Sequence, residues 1–472
     1  MAIVDEGTVF SWHEFREITE ITENLIGAIT KIDSFVYDKP ILFLSKNSSG
    51  LVLMGAAFAT MNIPFQGVDY NLGLECLRSL IQELEVKYIF VAEELESRFL
   101  ALADFCRVIQ IENFIKKANL EREYFPGILD LLPPRSFCSY SFTSGTTDVP
   151  KIAYRTTSFD KRRFEYLQKR YEFNIDDTHL VCLPMYHVSS TGWLRLFLSL
   201  GCTVVVHNFK NGYDLCETLH GNHVSTTIMS PYMLKQAVEV LEEIDSRSYF
   251  PYLRFVITGG KNCPIGVKKD AIGKLGKIIF EYYGTTETGI NTLIDSQEAL
   301  EYPGSVGRVF EGNKIVILDE KNQPVFSGEK GKIAVHSYMN IDCYFNGKTN
   351  FVDLFGEKYF ITSDYGYLNG KGYLFIIQRA NAANKKIFDL YGIENEILNL
   401  GFISDVSARD AAEDGLKVEI VPKKYFPYAK LKNDIGNISA KYGIESPVSV
   451  NVVTKLDYTL TGKIRLSSNI IN

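Results

Sequence analysis

Short β-branched runs alternate with helical stretches along most of this chain, and that alternation narrows the fold more than any other feature. ILFLSK from Ile41, IPFQGV from Ile63 and KYIFVA from Lys87 are each followed by helix-forming sequence. After residue 200 the runs TVVVH, STTIMS, RFVITGG and KIIFEYYG recur roughly every 22 to 30 residues. Strands and helices spaced in this way predict β-α-β units, hence two doubly wound α/β subdomains with mainly parallel sheets. Ahead of the first run, Ser11 and Glu14 make a capping-box pattern, and Phe15, Ile18, Ile21, Leu25 and Ile29 predict an amphipathic helix behind it.

From about Gly304 the texture changes. GSVGRVFEGNKIVILDEKNQPVFSGEKGKIAVHS has short apolar runs punctuated by Gly and Pro, which predicts hairpins or a small β-barrel. A polar stretch from Ala380 to Lys386 then precedes a β/α segment of about ninety residues. The expected organisation is an α/β domain over 1–379 and a small α+β domain over 380–472. A chain of 472 residues is long enough to bury a core in each.

Composition enters mainly by exclusion. Fifty Lys and Arg against fifty-seven Asp and Glu give a net charge of -7, so no global field draws nucleic acid or anionic lipid, and a phosphate-bearing ligand must be held locally. The eight cysteines contain no C-x-x-C pair and the seven histidines no H-E-x-x-H spacing, which suggests neither a zinc site nor a disulfide framework. Reduced thiols fit a cytoplasmic protein. The acidic start MAIVDEG is unlike a secretion signal, and the apolar stretches are too short or too interrupted to span a bilayer, so no membrane insertion is expected.

Four local patterns carry chemistry. Ser141 to Lys151, SFTSGTTDVPK, is a hydroxyl- and Gly-rich loop closed by a lysine, suited to wrapping phosphate oxygens without being a Walker loop. Tyr282 to Gly289, YYGTTETG, follows the strand KIIFE and puts Glu287 where open α/β sheets bind ligands. Asp364, in YFITSDYGYL, ends a strand-like run where an acid can take both hydroxyls of a ribose, and Lys463 lies in LTGKIR near the C-terminus. Taken singly, these patterns read equally as a turn, a capped helix start, a turn-forming Asp and a solvated lysine.

Taken in order, they resemble the adenylate-forming superfamily: acyl- and aryl-CoA synthetases, the adenylation domains of peptide synthetases, and luciferases. SFTSGTTDVPK is similar to its phosphate loop, YYGTTE to its Y-G-x-T-E motif, TSDYGYL to its T-G-D-L segment, and LTGKIR to its C-terminal lysine motif. Arg379 matches the arginine beside its hinge, and PMYHVSS, GSVGRV and GEKGKI add weaker matches. The resemblance implies an AMP-forming ligase that uses ATP and Mg2+. A carboxylate attacks the α-phosphate to give an acyl-AMP and pyrophosphate, and a thiol of coenzyme A or a carrier-protein phosphopantetheine then displaces AMP. Transfer to a non-thiol nucleophile, and a degenerate fold that binds without turnover, stand as alternatives.

Residue by residue, the resemblance gives Thr143, Ser144, Gly145, Thr146, Thr147 and Lys151 the β- and γ-phosphates, Thr286 the α-phosphate and Glu287 the magnesium. Asp364 and Arg379 take the ribose. Gly259, Gly260, Lys261, Tyr282, Tyr283, Gly284 and Thr285 face the nucleotide and share a pocket wall with His187, Trp193, Ser230 and Tyr232 on the acid side. Lys463 neutralises charge between carboxylate and α-phosphate, and Asn381 matches the hinge about which the C-terminal domain rotates. Some positions depart from the family. Asp148 replaces a loop glycine, Gln378-Arg379-Ala380-Asn381 lacks the usual hinge glycine and acid, and the segment NKKIFDLYGIENEI, which lines the thiol tunnel in relatives, lacks their usual glycine and has Asp389 near its place. Pro184 to Ser190 has no acid to pair with an amino-acid ammonium, and its P-x-x-H resembles acyl- and aryl-CoA synthetases, including succinylbenzoate ligases. Lys261 stands where relatives usually have a small residue; its stem covers apolar surface with the ammonium in water, or it meets a polar group on the acid.

Overall fold

The computed structural model describes residues 2–30, 38–121, 139–143, 150–156, 160–241, 246–379, 387–410, 415–423, 428–444, 448–459, 462 and 464. Its first sheet is parallel, with Phe65–Gly67, Ile41–Leu44, Tyr88–Val91 and Arg107–Gln110 side by side in that order. Every residue of Ile41–Leu44 is buried, which is why that strand reads as an unbroken apolar run. The helix Trp12–Thr30 buries Phe15, Ile18, Ile21 and Leu25 against the helices Ser49–Thr60 and Ile111–Glu121. Its start is the capping box: Glu14 N donates to Ser11 Oγ at 3.2 Å and Ser11 N donates to Glu14 Oε2 at 2.8 Å.

The second sheet has a parallel half, in the order Ile3–Asp5, Thr203–Val206, Thr178–Val181, Thr226–Met229, Phe255–Gly259 and Ile279–Thr285. The extreme N-terminus therefore belongs to this sheet, where Ile3–Asp5 also forms a hairpin with Thr8–Phe10. Past Ile279–Thr285 the same ladder continues antiparallel through Gly289–Ile294, Ser305–Val309, Tyr373–Arg379, Glu357–Leu368, Gly331–His336 and Lys314–Leu318. The region read as hairpins or a barrel is thus joined edge to edge with the second α/β sheet. It still has a separate core of Val306, Ile315, Ile317, Ile333, Val335 and Leu374, the source of its distinct sequence texture.

A small antiparallel sheet of Ser139–Phe142, Ile152–Arg155 and Cys343–Tyr344 lies beside these. In the C-terminal part, Ile403–Asp410, Leu416–Pro422 and Val448–Val452 form a three-stranded sheet with the helices Leu390–Leu398 and Tyr428–Lys441. They enclose their own core, which includes Ile393, Ile397, Val418, Ile420, Leu431 and Ile435. Among the described residues no helix is long and apolar enough to cross a membrane.

Candidate active site

The site is organised by the strand Ile279–Thr285, the last parallel member of the second sheet. Gly259, at the C-terminal end of the neighbouring strand, lies opposite Tyr282. A Cβ at residue 259 would sit 2.3 Å from the Tyr282 ring, so glycine is required for the two strand ends to approach. After Thr285 the chain turns back sharply instead of starting a helix. Thr288 N donates to Thr285 Oγ1 at 3.2 Å, the two threonine hydroxyls lie 2.9 Å apart, and Gly289–Ile294 returns antiparallel. This turn exposes Thr286 and Glu287 at the strand end.

On one side of that end lie Asp364 and Arg379. Asp364 stands opposite Arg379 in the ladder, and the Tyr283 hydroxyl donates to Asp364 Oδ2 at 2.8 Å. Burial and the Asp364 charge push the Tyr283 hydroxyl well above its usual range, so it stays a donor and holds the carboxylate in place. On the other side, the Tyr344 hydroxyl donates to Glu287 Oε1 at 2.8 Å, and Lys151 Nζ lies 5.5 Å from the centre of the Tyr344 ring. Thr143 N donates to Lys151 O at 2.8 Å, which ties the two ends of the SFTSGTTDVPK segment together. Ser144, Gly145, Thr146, Thr147 and Asp148, together with Asn381 and Lys463, lie outside the described residues.

Two residues without a motif support this arrangement. Buried Arg155 donates through Nε to Met339 O at 3.0 Å and through Nη2 to Thr286 O at 2.5 Å, fixing the turn from below. Tyr344 is the other; its only signal in sequence is an aromatic residue in a short strand after GEKGKI. His187 reaches the site through Ser189, whose Oγ lies 3.5 Å from His187 Nδ1 and which is hydrogen-bonded to Tyr282. Beneath the strand, Lys268 Nζ donates to Glu281 Oε2 at 2.5 Å and to Ser305 O at 3.3 Å in a buried ion pair.

Trp193 needs correction, and Lys261, Ser230 and Tyr232 sit against C-terminal residues. Trp193 does not line a pocket: it is 4% exposed and packs against Phe173, Phe197 and Phe255. Phe255 begins the strand that Gly259 ends, about 13 Å away at roughly 3.3 Å per residue, so Trp193 belongs to the core at the far end of the sheet. Lys261 has its ammonium 5.0 Å from the centre of the Tyr458 ring, in a crevice at the interface with the C-terminal residues Glu394, Asp405 and Tyr458. Ser230 and Tyr232 line the same interface. Ser230 Oγ accepts from Met233 N at 3.3 Å to cap the helix Pro231–Val240, and Tyr232 stacks on Tyr458. Asp389 has an equally local explanation as the N-cap of the helix Leu390–Leu398, its Oδ1 accepting from Gly392 N at 2.8 Å.

A nucleotide and a metal fit what is present. Mg2+ commonly needs only one or two protein carboxylates alongside substrate phosphates and water. The half-buried Glu287, held by Tyr344 beside a lysine-closed loop, supplies one such carboxylate. The sheet thus ends in a turn with one anchored carboxylate, Glu287, on one side and a second, Asp364, on the other. Residues 2–345 match the family model described as AMP-binding enzyme, and the chain belongs to that family.

Its relatives narrow this further. It is 24% identical over 468 residues to the 2-succinylbenzoate–CoA ligase of Listeria monocytogenes serotype 4b (strain F2365), covering 96% of this chain and 92% of that protein. Its fold matches the o-succinylbenzoate CoA synthetase of Bacillus subtilis in complex with its acyl-adenylate intermediate, at TM-score 0.79 and 19% identity over 98% of this chain and 94% of that one. ATP-bound MatB of Rhodopseudomonas palustris matches at TM-score 0.82 and 19% identity, over 98% and 94% of the two chains.

Proposed function

We propose that this protein is an ATP-dependent carboxylic acid–thiol ligase that forms an acyl- or aryl-adenylate and transfers the acyl group to coenzyme A or to a carrier-protein phosphopantetheine. One observation carries the reading: the turn after Ile279–Thr285 has Glu287, Tyr344 and Lys151 on one side and Tyr283, Asp364 and Arg379 on the other. That spacing suits the triphosphate and the ribose of one ATP. Both the carboxylate and ATP are anionic, so the site must neutralise charge and align the reacting atoms. Lys151, with the hydroxyls of residues 143–147, binds the β- and γ-phosphates, and Thr286 binds the α-phosphate. Asp364 and Arg379 orient the ribose, while Gly259, Gly260, Tyr282, Gly284 and Thr285 shape the wall beside it. When bound at Glu287, Mg2+ supplies positive charge to the phosphate oxygens. Lys463 stabilises the charge that develops between carboxylate and α-phosphate.

The acid is an acyl or aryl carboxylate, since Pro184–Ser190 has no acid for an ammonium. His187 borders the acyl pocket. Residues 1–379 act as the nucleotide domain and 380–472 as its lid, a division supported by the separate C-terminal core. Cys106, Cys182, Cys202, Cys216 and Cys263 are buried free thiols, which is consistent with work in the cytoplasm. The test is carboxylate-dependent exchange of pyrophosphate into ATP across a panel of 2-succinylbenzoate, indoleacetate, benzoates, fatty acids and α-amino acids. Exchange with an acyl or aryl acid and none with amino acids is the expected result. No exchange with any acid, in protein that binds ATP, overturns the reading in favour of a non-catalytic binder.

A further inference from the structure

The interface between the two domains is built with opposite charge on its two sides. From the N-terminal side, Lys235 Nζ donates to Ser404 O at 2.8 Å and lies 3.6 Å from Asp405 Oδ2. Lys235 also reaches Glu239, one turn along its own helix, at 4.0 Å. Asp405 Oδ2 in turn accepts from the Tyr458 hydroxyl at 2.8 Å. The Tyr458 ring stacks on Tyr232 at 4.8 Å and 23°, and Lys261 Nζ lies 5.0 Å from its centre. Glu394, whose Oε1 accepts from Ala408 N at 2.8 Å, adds a second acid to the same crevice.

Tyr458 is no arbitrary anchor. It forms an isolated antiparallel bridge with Ile464, so what holds Tyr458 also holds Ile464. Gly462 has φ +78°, and a Cβ there would lie 3.2 Å from the Ser230 side chain, so Gly462 itself rests on the start of the helix Pro231–Val240. The residue before Ile464 is Lys463.

We propose that Lys235 and Lys261 are positioning residues: by gripping Asp405 and the Tyr458 ring they hold the Tyr458–Ile464 bridge on the N-terminal domain, and through it serve the adenylation step assigned to Lys463, the neighbour of Ile464 in sequence. The inference rests on the reading of Lys463 given above and deepens it. It also explains Lys261 without a substrate contact. A half-buried ammonium between an aromatic ring and two carboxylates is held by domain contact, and burial lowers its pKa while Glu394 and Asp405 oppose that shift.

The experiment uses the full chain and the variants K235A, K261M, the double variant, K235R, D405A and K463A. Two readouts are taken: adenylation kinetics from pyrophosphate exchange, and amide hydrogen exchange of the Tyr458–Ile464 segment against that of the strands Phe255–Gly259 and Ile279–Thr285. The expected result for K235A/K261M is a tenfold or greater fall in kcat with KM for ATP within twofold, and faster exchange in 458–464 with the core strands unchanged. K235R should restore both, and D405A, which removes the partner of Lys235 and of the Tyr458 hydroxyl together, should by itself speed exchange in 458–464. Unchanged exchange at 458–464 in the double variant overturns the proposal, as does a raised KM for ATP at constant kcat, which would make Lys261 a nucleotide ligand. A K463A enzyme that still catalyses exchange of pyrophosphate instead refutes the assignment of Lys463, and the hydrogen-exchange result still decides whether the two lysines hold the bridge. Faster exchange in the core strands marks a misfolded variant, and K261M and K235A are then compared singly.

Discussion

Replacing Tyr344 with Phe separates two contacts made by one side chain. The change deletes the hydroxyl that donates to Glu287 Oε1 at 2.8 Å and keeps the ring that lies 5.5 Å from Lys151 Nζ. A hydrogen bond to a charged group contributes about 1.5 to 3 kcal/mol. Tyr344 and Glu287 are both half-buried, so water replaces part of the lost bond and the lower end applies. About 1.4 kcal/mol is a tenfold change in an equilibrium constant. That agrees with the roughly 10- to 100-fold losses seen when the partner that orients a metal-binding side chain is removed. The half-saturating Mg2+ concentration for adenylation should therefore rise about tenfold in Y344F, with the maximal rate recovered at high Mg2+. The assay is initial-rate pyrophosphate exchange against free Mg2+ at saturating ATP and acid. An unchanged midpoint, or a lost rate that Mg2+ does not restore, would refute the idea that Tyr344 presents Glu287 to the metal.

The remaining predictions concern stability and selectivity. Lys268→Met leaves the buried Glu281 carboxylate without its ammonium, which should cost about 3 to 5 kcal/mol in denaturant unfolding; a loss below about 1 kcal/mol would mean that water reaches the pair. Trp193→Ala should cost a similar amount by emptying core volume and leave the ranking of acids unchanged, whereas an altered ranking would return Trp193 to the acyl pocket. Burial pushes the Glu394 carboxyl from its ordinary 4.5 up to about 7, so the folded protein binds that proton more tightly than the unfolded chain. Its contribution to stability is then full below about pH 4.5 and is lost as the pH rises to about 7, by at most about 3 kcal/mol. Unfolding free energies of wild type and Glu394→Gln should diverge over that window; parallel profiles would contradict the assignment.

What sequence conveys about this molecule follows the range over which each signal acts. The YYGTTE turn is legible because ligand-binding loops in α/β sheets sit at strand ends and draw on a few residue types in short order, whereas Asp364 lies inside the strand Glu357–Leu368 instead of ending one. Arg155 and Tyr344 escape that logic. Arg155 lies 131 residues from Thr286 and Tyr344 57 from Glu287, and only the sheet registers bring them together. Trp193 shows the opposite failure, since closeness to His187 in sequence says nothing about which side of the helix Val188–Ser199 meets the core. Ile3–Asp5 is too short to show a period, and the strands after Gly304 declare themselves as strands without declaring the edge they join. Lys261 is a residue whose partners come from another domain, and no local pattern announces them.

The central claim is that a carboxylate oxygen bonds to the α-phosphorus of ATP before a thiol takes the acyl group. An acid that supports exchange, labelled with 18O in both carboxylate oxygens, tests it directly in a single turnover with coenzyme A. Attack on the α-phosphorus places one labelled oxygen in the bridge of the acyl-AMP. Displacement by the thiol breaks the bond between that oxygen and the acyl carbon, so the label leaves with AMP. The account predicts one 18O in each AMP, one retained in the thioester, and none in pyrophosphate. Label in inorganic phosphate with formation of ADP, or AMP without label, would contradict it.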